Sequence, residues 1–124
     1  MGQTKPSTEV RVKMTINERV AKDVLIMAPE GKITMGSGDQ ELTRTVREAL
    51  ARGSRKILLD FTKVTVLDSS GLGELVECYT SIKNLQGELR LCGLNFRIHN
   101  LLQMTNFLTV FVVKETEAEA LAEF

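Results

Sequence analysis

Histidine occurs once in the 124 residues, as His99, and cysteine only twice, as Cys78 and Cys92. One histidine leaves no HExxH pair, no Cys/His zinc cluster and little material for a serine–histidine triad. The cysteines lack CxxC spacing and a basic neighbour in sequence, so they read as small buried residues. There is no GxxxxGK[ST] string, Gly36-x-Gly38 lacks a third glycine, and no G-x-S-x-G elbow surrounds a serine. Apolar runs such as residues 24–28 and 110–113 fall far short of the ~20 residues that span a bilayer. Neither charge is in excess: 16 basic and 16 acidic side chains cancel. That balance argues against nucleic-acid binding and against a polybasic membrane surface. The first eight residues carry no apolar signal region, and Pro6 stands where a myristoylation motif wants Ser or Thr. These absences point to a cytoplasmic protein that is not an enzyme, inserts in no membrane, and has no metal or cofactor of its own.

What is present suits one globular domain. Hydrophobic residues make up 43% and charged residues 26%, and a chain of this length buries enough surface for one core without staples. Residues 1–8 read as a flexible tail and 9–124 as the domain. Val10, Val12, Met14 and Ile16 alternate with polar residues, the mark of a strand. Residues 17–23 are charged and read as a turn, and residues 24–28 as a second strand paired with the first. Pro29 should interrupt pairing. Ser37 and Gln40 stand at capping-box spacing for a first helix, with Asp39 at the positive end of its dipole and Leu42, Val46, Ala49 and Leu50 on the inner face. Gly53 ends that helix. Ile57-Leu58-Leu59 is apolar on both faces, as a central parallel strand should be. Residues 62–67 read as a connecting loop.

A second helix spans residues 69–85 with the stripe Leu72, Leu75, Val76, Tyr79 and Ile82, stopped by Gly87. Residues 89–92 form a strand. Asn95 caps a third helix, with Ile98, Leu101 and Leu102 inward and His99 on its surface, and Asn106 supplies the left-handed end. Residues 110–113 make the last strand, and 115–124 an acidic helix with Ala118, Leu121 and Ala122 as its seam. Met14, Met27, Met35, Met104 and Tyr79 fit core positions. The order β-β-α-β-α-β-α-β-α implies an α/β fold: a mixed, mostly parallel sheet of about five strands with about four helices, packed mainly on one side.

One segment stands apart: Val66-Leu67-Asp68-Ser69-Ser70-Gly71-Leu72-Gly73-Glu74, between a buried strand plus loop and a helix start. Asp68, Ser69 and Ser70 are all ordinary capping residues. Capping alone does not account for the string, because Leu72 and Gly73 occupy the places where a capping box needs Glu or Gln. Each of the two glycines also costs ~1 kcal/mol relative to alanine inside a helix. Small residues there allow another molecule to approach the backbone and the two hydroxyls, at an end of the helix that favours anions.

The string Leu67-Asp68-Ser69-Ser70-Gly71-Leu72-Gly73, placed after the strand at residues 57–61, resembles the signature of anti-sigma factor antagonists of the STAS domain family. The resemblance runs from about residue 10 to 124 and takes in the early hairpin and the Leu- and Phe-containing segment 101–107. It implies a STAS-like fold and a binding switch in transcription control. An unphosphorylated antagonist binds an anti-sigma factor, often a serine kinase. Phosphorylation of the serine after the motif aspartate, here Ser69, ends binding, and a serine phosphatase restores it. ATP then belongs to the partner kinase rather than to this chain. Asp68, Ser69, Ser70, Gly71, Leu72 and Gly73 become the expected switch and partner-binding motif, with Ser70 at the second hydroxyl position, which is not the usual acceptor. The family commonly carries Gly-x-(Leu/Ile)-Asp after its second strand, whereas this chain has Gly31-Lys32-Ile33-Thr34. Gly31 and Thr34 are therefore partner-facing candidates that depart from the pattern. The alternative role for the same fold is a stand-alone subunit of a signalling scaffold or of a membrane transporter complex.

Overall fold

The computed structural model describes residues 14–122 and residue 124. The expected tail and residues 10–13 of the expected first strand lie outside the described residues.

The described residues begin with a hairpin of β1 (Thr15–Ala21) and β2 (Val24–Ile33). Lys22 and Asp23 both take positive φ, 53° and 71°, the conformation that a two-residue hairpin turn requires. The turn is thus two residues long, and residues 17–21, read as turn from their charge, belong to the strand. β1 is an edge strand exposed along most of its length, and charge on an exposed edge deters pairing with other chains. Pro29 does not end β2. It pairs with Ile16 across the hairpin, and it lies where β2 changes partner on its other edge, between β3 at Leu25–Met27 and β4 at Glu30–Ile33.

Helix α1 (Asp39–Ala51) is not capped by Ser37. Ser37 exchanges backbone hydrogen bonds with Thr34, at 2.8 and 2.9 Å, and Gly38 enters the helix with φ 93°. Strand β3 (Lys56–Asp60) alternates its buried residues between two faces. Ile57 and Leu59 enter the main core, whereas Leu58 enters a smaller one. The segment read as a loop is a further strand, β4 (Lys63–Leu67), parallel to the second half of β2 after a register shift between Gly31 and Lys32. Five residues with only Val64 and Leu67 buried gave too short a pattern to mark a strand. Helix α2 (Ser69–Asn84) follows, then β5 (Glu88–Cys92), α3 (Phe96–Met104), β6 (Val112–Lys114) and α4 (Glu117–Leu121).

The end of α2 is left-handed at Gln86, φ 63°, rather than at Gly87, whose N–H bonds back to Ile82 at 2.8 Å. β6 starts two residues later than expected, because Val110 and Phe111 turn back on Phe107 and Phe111 is buried edge-on against Tyr79 at 5.3 Å. In α4 the buried residue is Ala120, whereas Ala118 and Ala122 are exposed. Met14 and Met27 are buried as expected, but Met35 and Met104 stand 77% and 82% exposed.

The sheet runs β1-β2-β3-β5-β6, with β4 on β2, antiparallel only at the hairpin. Among the described residues six strands, one more than the roughly five expected, carry four helices. The residues of α1, α2 and α3 close the main core on one face, and α4 packs on Val24, Ile26, Leu58 and Cys92 on the other. Arg90, on β5, lies 4.7 Å from the Phe124 ring and holds the chain end to that second face. Every helix follows the carboxyl end of a strand, so all four helix starts gather at one end of the sheet. No helix among the described residues is long and apolar enough to cross a membrane.

Candidate functional site

Strands β2 and β4 end side by side, with Ile33 opposite Leu67, and the motif begins on the next residue. Asp68 is extended and caps α2. Its Oδ1 accepts the Gly71 N–H at 2.8 Å, and its Oδ2 accepts the Met35 N–H at 3.1 Å. One carboxylate therefore fastens the helix start to the loop after β2. Burial pushes this carboxyl up, but the N–H donors of Gly71, Met35 and Ser70 outweigh it and hold it below its ordinary value of 3.8.

The motif's other residues divide by the direction they face. Gly71 and Leu72 are buried, Leu72 at 6% exposure in the main core. A Cβ on Gly71 would overlap the carbonyl oxygen of Ile33 and approach Leu67 Cδ1 to 2.8 Å. This glycine lets α2 close on β2, so the approach it permits is internal rather than to a partner. Gly73 is the opposite case, exposed, and a Cβ added there would meet nothing within 4 Å. It lies one helical turn beyond Ser69, on the same side. Ser69 is exposed, and its hydroxyl makes no hydrogen bond among the described residues. Ser70 is half-buried and donates from Oγ to Asp39 Oδ2 at 2.9 Å.

Gly31 and Thr34 separate as well. Gly31 sits at the irregularity of β2 with φ 117°, and its carbonyl accepts from Thr65 Oγ1 at 3.3 Å, which is a strand role. Thr34 is at the rim, half-buried, next to the Met35 amide that Asp68 holds.

Three residues of this neighbourhood were not singled out for it from sequence. Asp39, read only as a helix-dipole residue, is 4% exposed and meets Ser70. Met35 presents its side chain beside the motif at 77% exposure. Phe96, 78% exposed, opens α3, whose cap Asn95 donates to the carbonyls of Val64 and Thr65 on the strand that leads into Asp68. Nothing local marks an exposed Met or Phe in a sequence; the Asp39–Ser70 pairing depends on α1 lying against α2. Thr43 donates to Glu74, and Arg47 to Glu77 at 2.9 Å, along the same helix pair.

None of the hollows found among the described residues is lined by residues 68–73. A hollow of about 350 Å³ lined by Val20, Asp23, Arg52, Arg55 and Lys56 lies at the opposite end of the sheet. Among the described residues there is no group of three or more His, Cys, Asp or Glu able to hold a metal. Burial pushes the thiols of Cys78 and Cys92 up to about 12, so neither is a nucleophile at neutral pH. His99 is exposed on α3.

Among known proteins, the STAS domain family matches residues 12–120. An anti-sigma F factor antagonist from Paenibacillus polymyxa is 28% identical over 102 residues, covering 82% of this chain and 87% of that protein. The crystal structure of a Thermotoga maritima protein described as a candidate anti-sigma factor antagonist superposes with a TM-score of 0.82 at 26% identity, over 87% of this chain and 92% of that one. The Bacillus cell fate determinant SpoIIAA in its phosphorylated form has the same fold, with a TM-score of 0.66 at 17% identity over 86% of this chain and 96% of its own.

Proposed function

The chain belongs to the STAS domain family, and from that premise we propose that it is an anti-sigma factor antagonist switched at Ser69. In this reading the unphosphorylated chain binds an anti-sigma factor that is also a serine kinase, and so releases a sigma factor. The kinase uses ATP to phosphorylate Ser69, binding ends, and a serine phosphatase resets the protein. The observation that carries the reading is the state of Ser69: an exposed hydroxyl at a helix start, unbonded among the described residues, with the open surface of Gly73 one turn on. The names of the similar proteins support the antagonist role. Met35 and Phe96 add exposed apolar surface for a protein partner at the same end of the sheet.

The physics of the switch is local. Phosphorylation adds about −1.5 to −2 charges, to a chain of net charge zero, beside an Asp68 carboxylate that is already ionised at neutral pH. Desolvating that charge inside an interface is costly. In the free protein the amino end of α2 and bulk water stabilise it, so the fold need not change. Incubation with ATP and an anti-sigma serine kinase that the chain captures from its source organism, followed by intact mass and peptide mapping, tests the reading. One phosphate on Ser69 and loss of kinase capture are expected. A chain that the bound kinase leaves unmodified overturns the switch.

A further inference from the structure

The two neighbouring hydroxyls of the motif are in opposite states, and the difference is imposed from α1. Ser69 is exposed and unbonded among the described residues, whereas the Ser70 hydroxyl donates to Asp39 Oδ2 at 2.9 Å. Asp39 is 4% exposed and its Oδ1 accepts the Gln40 N–H at 2.8 Å. The carboxylate cannot swing to solvent without loosening the first turn of α1. Further along α1, Thr43–Glu74 and Arg47–Glu77 hold the helix against α2.

We propose that Asp39 is the residue that makes this a single-acceptor site: it excludes a phosphate from Ser70 and confines the modification to Ser69. The proposal rests on the switch at Ser69 and adds what chooses between the two serines. Phosphoryl transfer forms an Oγ–P bond and breaks the bond from the γ-phosphorus to the bridging oxygen of a nucleoside triphosphate. The hydroxyl proton passes to a base of the kinase. At Ser70 the hydrogen bond to Asp39 disappears with that proton, and a dianion is left at hydrogen-bond range from a buried carboxylate, between two helices. Like charges so placed repel strongly, because little water screens them. Glu74, one turn along α2, adds to the same sign. At Ser69 the phosphate projects into water from the amino end of α2, and the nearby Asp68 charge is held by two backbone N–H groups. A carboxylate that accepts a serine proton could also serve as a general base. The decisive quantity is therefore the charge of the product, not the reactivity of the hydroxyl.

The test needs no kinase. Phosphoserine is encoded at position 69 or at position 70, each with Asp39 or with Asp39→Asn, and thermal midpoints and phosphorus-NMR titrations are recorded. Phosphoserine at 69 should leave the midpoint nearly unchanged with either residue at 39. Phosphoserine at 70 should lower it by about 5 °C or more, and Asp39→Asn should recover most of that loss. The second phosphate ionisation, ordinarily near about 6, should be raised at position 70 and should fall back with Asp39→Asn; a purely structural role for Asp39 would not move it. If phosphoserine 70 leaves the chain unfolded, refolding by Asp39→Asn supports the proposal and its failure overturns it. Equal stability of the two phosphoforms, or a position-70 ionisation indifferent to Asp39→Asn, also overturns it. Partner binding by the Ser69 phosphoform is a separate measurement, and its outcome bears on the switch alone.

Discussion

Helices α2 and α4 start at the same end of the sheet and solve the same problem differently. Thr116 caps α4 by accepting the Glu119 N–H at 3.2 Å, and Glu119 accepts the Thr116 N–H in return at 3.3 Å. Both side chains of that box bond to the helix's own backbone, and Arg19 closes over the same turn through Glu117. At α2 the capping work falls on Asp68, while the hydroxyl immediately after it has no partner among the described residues. A helix start built only for stability spends its hydroxyl on the cap. The α2 start moves the cap to Asp68, which suits the proposed switch at Ser69.

The sharpest way to break this contrast is at the two glycines of α2. Gly71→Ala forces a methyl onto the Ile33 carbonyl and should cost about 3 kcal/mol, read as a fall in the denaturant midpoint. Gly73→Ala, with open space around it, should gain up to about 1 kcal/mol from helix propensity while weakening partner binding. A Gly71→Ala protein of wild-type stability would remove the internal-closure account of that residue.

Asp68→Ala comes next. It removes the cap and the tie to the Met35 amide, and should cost about 1–2 kcal/mol at neutral pH. The sign with pH follows from its depressed folded value. The unfolded carboxyl titrates near 3.8 and the folded one below it, so the stabilisation is complete above about pH 5 and is lost as pH falls through the folded value. Urea midpoints of wild type and Asp68→Ala should therefore converge at low pH; parallel curves would exclude Asp68 as the source.

The smallest pair compares the hydroxyls directly. Thr116→Ala should cost about 1 kcal/mol as a lost cap, whereas Ser69→Ala should stay within about 0.5 kcal/mol as an exposed, unbonded site. Equal losses would show that Ser69 is capping after all. Ser69→Ala should also retain partner binding and abolish phosphorylation, while Ser69→Asp should bind more weakly than wild type, with a carboxylate only a partial stand-in for a phosphate.

The elements most legible in the sequence were those whose burial is one-sided and long. The apolar stripes of α1 and α2 and the doubly buried Ile57-Leu58-Leu59 appear where periodicity puts them. The caps at Asn95 and Asn106 also appear, because each depends on one residue's own hydrogen bonding or φ. The failures share a cause. β1 is a charged edge strand, β4 is five residues long, and Ser37 gives up its cap to a turn with Thr34. In each case a partner distant in sequence, or the position at an edge, outweighs local preference.

At the motif, sequence alone determined that Asp68-Ser69-Ser70-Gly71 opens a helix beyond the buried strand at residues 57–61, because capping chemistry and apolar runs are written in neighbouring residues. It determined the fold class for the same reason. Only the tertiary structure decided which glycine serves the core and which the surface, and which serine is free. Those answers depend on where the Ile33 carbonyl and the Asp39 carboxylate lie, more than thirty residues away along the chain, once β2 and α1 have packed against α2.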